Sequence, residues 1–84
     1  MKYPCFSIRD NAVAFGIPFF DMSEQSAIRG FNYQINGDGV ISSFPEDYSL
    51  YKIGEFDSDT GSFNSIEPKI VCSGSSLKME KKDD

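Results

Sequence analysis

Apolar and polar positions alternate with a period of two over most of the first twenty residues, and that rhythm predicts strands. In "YPCFSIRD", Phe6 and Ile8 stand against Cys5, Ser7 and Arg9, the pattern of a half-buried strand. Asp10-Asn11 supplies turn chemistry. "AVAFGIPFF" alternates again, with Val13, Phe15, Ile17 and Phe19 on one side and Ala12, Ala14, Gly16 and Pro18 on the other. The two runs read as a hairpin. Pro18 has no N–H for a ladder bond, so it ends this strand or holds it to a free edge.

From Ser23 the period lengthens. "SEQSAIRGFNYQING" sets Ala27, Ile28, Phe31 and Ile35 within an arc of about 100°, the apolar stripe of a helix lying on a core. Ser23 is the expected N-cap, Glu24 suits the positive end of the dipole, and Gly37 suits the left-handed position beyond the last turn. Gly30 falls inside the helix. "GDGVISSFPED" reads as a connection, with Glu46 and Asp47 holding the turn that leads into the next strand. "YSLYKIGEF" then predicts a strand with apolar groups on both faces: Tyr48, Leu50 and Phe56 on one, Tyr51 and Ile53 on the other. "DSDTG" is its turn, "SFNSI" the antiparallel return before Pro68, and "KIVC" a short added edge segment. The β-β-α-β-β order predicts an α+β fold: a small antiparallel sheet of two hairpins with one helix packed across one face. The single domain spans residues 1–72, and "SGSS" opens a flexible charged tail over 73–84.

Size changes this picture in one respect. Eighty-four residues make one domain with one core. Such a chain buries only roughly 60% of the surface it exposes when unfolded. A thin core and a strand apolar on both faces predict a homodimer, with Tyr51 and Ile53 at the interface. Hydrophobic residues make up 39% and aromatic residues 14%, too much apolar surface for a disordered chain. Eight phenylalanines and four tyrosines place the core on a few large rings.

A net charge of −5 is the wrong sign for a protein whose whole surface grips phosphates, so any nucleic-acid site must be local. Cys5 and Cys72 read as reduced, small buried hydrophobes. "MKYPCFSIRD" has no apolar secretion core and no stretch reaches membrane-span length, so a soluble intracellular protein without membrane contact is expected.

The chain has no histidine, which removes Ser-His, Cys-His and ordinary zinc chemistry. Glu46 with Asp47 and Asp57 with Asp59 are carboxylate pairs, but in loops such acids are usually solvated. "DSDTGSFNSIE" lacks the spacing of a calcium loop: counted from Asp57, the glycine falls fifth and Glu67 eleventh, where sixth and twelfth are needed. "GDG" has neither the lysine nor the following helix of a phosphate loop. The expectation is a non-enzyme with no catalytic residues, no metal and no cofactor. Arg29 and Tyr33 stand four apart on the helix face opposite Phe31. They form either an ordinary exposed pair or a site where a ring stacks a base and a guanidinium meets phosphate. Lys52 beside Tyr51, and Arg9 near Phe6, extend that surface if the fold gathers them.

"PFF" (Pro18 to Phe20), "SAIRGF" (Ser26 to Phe31) and "PEDYSLYKIGEFDSDTG" (Pro45 to Gly61) together resemble the small nonstructural protein of gokushoviruses, single-stranded DNA phages of the Microviridae. The last segment is the specific one, with its Pro-Glu-Asp-Tyr lead, Leu-Tyr pair, Gly-Glu-Phe-Asp and acidic turn closed by glycine. Matching segments run from about Phe6 to Gly61. The resemblance implies a nonstructural accessory acting in genome replication or packaging in the host bacterial cytoplasm, described as DNA-binding, and it brings no catalytic residues. On this reading the partners are single-stranded DNA, through Arg29, Tyr33, Lys52 and Arg9, and phage replication or capsid proteins. The rival is an adapter that binds the replication initiator or procapsid without touching DNA. A third reading is an acidic host-directed inhibitor that mimics DNA charge.

Overall fold

The order of elements in the computed structural model, which describes residues 1–79, follows the predicted alternation of strands around one long helix. Strand β1 (Lys2–Asp10) is followed by two short pieces, β2 (Ala14–Phe15) and β3 (Phe19–Phe20), then helix α1 (Glu24–Ile35). A short helix α2 (Val40–Ser43) and one 3-10 turn (Pro45–Asp47) lead into β4 (Tyr48–Asp57), β5 (Ser62–Ser73) and a last short helix α3 (Gly74–Leu77). All pairings are antiparallel. The sheet runs β2-β1-β4-β5, and β3 shares with β2 the outer edge of β1. This is the expected α+β fold, with α1 laid across one face.

The core is small because the sheet meets one long helix on one side only. Phe6 and Leu50 from the sheet meet Ala27, Phe31 and Ile35 from α1, and all five are buried. Ile8, Phe19, Ile28, Ile41, Tyr48, Val71, Cys72 and Leu77 pack around them. Ser23 caps α1 as expected, its hydroxyl accepting from the Ser26 N–H at 3.1 Å. At the other end the backbone does not turn left-handed at Gly37; Gly61 is the one described residue with positive φ, at 75°. Gly61 closes the β4–β5 turn, where its N–H donates to the Asp57 carbonyl at 2.8 Å and the Asp57 carboxylate accepts from the Asp59 N–H at 2.9 Å. The acidic turn is thus built as a hairpin corner.

Gly30 faces open space: a methyl group there would meet nothing within 4 Å. Gly30→Ala is therefore expected to stabilise the protein by about 0.5–1 kcal/mol, through helix propensity alone. A thermal melt should shift upward by about 4 °C, and an unchanged or lowered midpoint would contradict this.

Three further expectations are corrected. The "AVAFGIPFF" run is not one strand: Pro18 and the close seat of Gly16 on β1, where its N–H donates to the Ile8 carbonyl at 2.9 Å, split it into β2 and β3. Val13 and Ile17 are exposed as a result. On β4, the pairing with β1 slips by one residue at Ile53, so Phe56 pairs with Tyr3 and leaves the face that carries Leu50. Finally, residues 73–77 are not a loose tail. β5 runs on to Ser73, and α3 packs Gly74 and Leu77 against the end of α1. The rest of the predicted tail, from residue 80, lies outside the described residues.

Candidate functional site

Strand pleating decides which side chains share the face that α1 leaves open. Phe6 and Ile8 point to the helix, so Tyr3, Cys5, Ser7 and Arg9 lie on the opposite side of β1. Directly paired residues in a sheet share a face. The pairs Arg9–Phe15, Ser7–Tyr51 and Tyr51–Ile70 therefore put Phe15, Tyr51 and Ile70 beside Arg9 on the open face. Beyond the slip at Ile53, Tyr3–Phe56, Phe56–Phe63 and Cys5–Phe20 bring three more phenylalanines to that side.

Two aromatic groups result. At one end Phe15 meets Tyr51 edge-on, with centroids 5.2 Å apart, and the Arg9 guanidinium lies 4.7 Å from the Phe15 ring centre. At the other, Phe20 makes edge contacts with Phe56 at 5.9 Å and Phe63 at 6.1 Å. Phe63 lies over Gly54, whose missing side chain makes room for the ring. Between the groups the floor is small and polar: buried Ser7 donates to the Gly16 carbonyl at 2.8 Å. Phe15, Phe20, Phe63 and Ile70 are each between 38% and 54% exposed, so this face offers stacking surface to a partner.

Of the four residues expected to touch nucleic acid, only Arg9 stands on this face. Arg29 and Tyr33 are exposed on α1 away from Ala27, Phe31 and Ile35, with the core and the sheet between them and Arg9. Lys52 pairs with Phe6 and Lys69, on the helix side of the sheet, and meets Glu55 at 3.7 Å. Lys2 reaches the same carboxylate at 4.0 Å. The proposed interface residues also separate: Tyr51 belongs to the Phe15 contact, whereas Ile53 sits half-buried at the slip.

Phe15, Phe20 and Phe63 were not singled out from sequence. A signal existed in the excess of rings: of eight phenylalanines only Phe6 and Phe31 are fully buried. Burial pushes the thiols of Cys5 and Cys72 up, the latter further raised by the Glu24 charge, so both stay protonated near neutral pH. Both are free, and they lie on opposite faces of the sheet. Among the described residues no helix is long and apolar enough to cross a membrane.

A family model described as phage ORF5 protein matches residues 3–77 of the chain. No curated protein and no solved structure gives a significant match.

Proposed function

The chain belongs to the phage ORF5 protein family, and from that premise we propose that it is a nonenzymatic accessory of gokushovirus-type single-stranded DNA phages, acting in genome replication or packaging in the host cytoplasm by binding single-stranded DNA on the open face of its sheet. The observation that carries this reading is the Arg9–Phe15–Tyr51 group. Two rings and a guanidinium stand together on a strand surface, the ring faces serving bases and the cation a phosphate. Stacking tolerates any base, which suits a protein that follows a whole genome. Among the described residues few cations share the face, so affinity should rest on rings more than on charge.

Fluorescence anisotropy with a labelled single-stranded oligonucleotide at low salt tests it. Phe15→Ala with Tyr51→Ala should weaken binding by about tenfold or more, since each stacked base is worth roughly 1–3 kcal/mol. Arg9→Gln should flatten the salt dependence by about one unit of slope. Binding that ignores these changes but falls with Arg29→Gln and Tyr33→Ala would move the site to α1. No binding at all would favour the adapter reading, which the net charge of −5 does not hinder.

A further inference from the structure

β5 is a strand that its own chain hardly covers. Residues 62–70 are all exposed, although they form a continuous ladder with β4. The opposite edge of the sheet is closed by β2 and β3 lying along β1, so among the described residues β5 is the long open edge. Phe63, Ile66 and Ile70 stand along it at 50%, 41% and 54% exposure. The molecule is also stretched, at 54 × 24 × 17 Å, with a radius of gyration of 14.0 Å. A compact chain of this length would have about 12 Å.

We propose that this edge is the interface with a second copy of the chain, the two β5 strands pairing antiparallel about Asn64 to make one continuous sheet. Three observations select that occupant. First, two acidic molecules repel over most of their surfaces, and "TGSFNSI" from Thr60 to Ile66 is a stretch of edge without charge, where like can meet like. Second, pairing about Asn64 sets Phe63 against the small Ser65 of the second copy and carries the acidic corner at Asp59 toward Lys69 of the second copy. The interface is then self-complementary in size and charge, as a two-fold contact requires. Third, the strands overlap over residues 62–66, about 17 Å of edge, and this stretch carries Phe63 and Ile66, whose exposed apolar surface the second copy covers.

The far half of the edge is guarded. Pro68 has no N–H to give, Glu67 and Lys69 carry charge, and the β4–β5 pairing is irregular between Lys52 and Gly54. These features stop open-ended growth and confine pairing to residues 62–66. A two-fold axis through antiparallel edge strands runs perpendicular to the sheet. Both open faces therefore lie on one side and both α1 helices on the other, joining two aromatic surfaces into one. The dimer does not depend on what that surface binds.

Sedimentation equilibrium from about 1 to 100 μM tests the proposal. The expected mass rises from 9.4 kDa toward twice that value with concentration. Asn64→Lys, which sets like charges face to face, should weaken association about tenfold or more, while Asn64→Thr should leave it. Ser65→Lys is a second variant on an exposed position, and circular dichroism shows whether each variant is folded. Hydrogen exchange adds an independent reading: amide protection within residues 62–66 should grow with protein concentration. A folded protein that stays a monomer throughout overturns the proposal. So does a dimer indifferent to Asn64→Lys and Ser65→Lys but broken by Tyr51→Glu.

Discussion

Gly74→Ala should destabilise the protein by about 3 kcal/mol, although it adds one methyl group to a short helix near the end of the described chain. A Cβ at this position would run into the Pro45 carbonyl oxygen, and would come within 2.7 Å of Ile35 Cδ1 and 3.0 Å of the Tyr48 carbonyl oxygen. Two of these are backbone atoms, which cannot swing aside. The alternative is for α3 to lift away, and that breaks more than packing. The Lys78 ammonium donates to the Ile35 carbonyl at 3.2 Å and to the Ser42 carbonyl and hydroxyl at 3.1 and 3.0 Å. Asn36 donates its amide to the Leu77 carbonyl at 3.0 Å and accepts from the Met79 N–H at 2.8 Å. Helix α1 has no basic residue in its last turn, so Lys78 supplies the cation its C-terminus lacks. Urea denaturation should show a lower midpoint with the slope retained, whereas an unchanged midpoint would mean that α3 contributes nothing to the fold. Gly30→Ala, the same change in open space, is the matched control.

The elements with strong periods were legible in the sequence, and those that depend on contacts far along the chain were not. α1 shows this from cap to core, since Ser23 and the Ala27, Ile28, Phe31, Ile35 stripe follow from spacing within one element. Gly74 and Lys78 belong to the opposite case. Their composition reads as linker and tail, and only the arrival of α1, α2 and the 3-10 turn at the same place makes them structural. The open face is intermediate. Alternation in β1 assigned Arg9 to it correctly, but one unpaired residue at Ile53 turned Phe56 over, a slip that leaves no mark in a pattern apolar on both sides. Phe15 and Phe20 needed the break around Gly16 and Pro18, which sets two separate short strands on one edge of β1. Arg29, Tyr33, Lys52 and Arg9 do not share one surface, because residue type says nothing of the side of the sheet or helix on which each stands.

Phe31→Ala should be the most damaging single truncation, costing about 3–5 kcal/mol. Phe31 is 1% exposed and is the one large ring that α1 sends into the cluster of Phe6, Ala27, Ile35 and Leu50. A domain of this length has only about 4–12 kcal/mol in total, so the variant should be partly or wholly unfolded at room temperature. No second layer takes over, because among the described residues α1 is the only long helix and no element covers the other side of the sheet. Phe31→Leu, which keeps most of the volume, should cost about half as much. Circular dichroism melts of the two variants would decide the matter, and a loss below about 1 kcal/mol for Phe31→Ala would mean that the core lies elsewhere. Phe15→Ala removes a ring of the same size from the other side of the same sheet, where among the described residues its aromatic and cation contacts are Tyr51 and Arg9. Its cost should be about 1 kcal/mol, an edge-on ring contact and a partly solvated cation contact. That contrast separates rings that hold the fold from rings left partly in solvent, and the second kind is the surface on which the proposed binding rests.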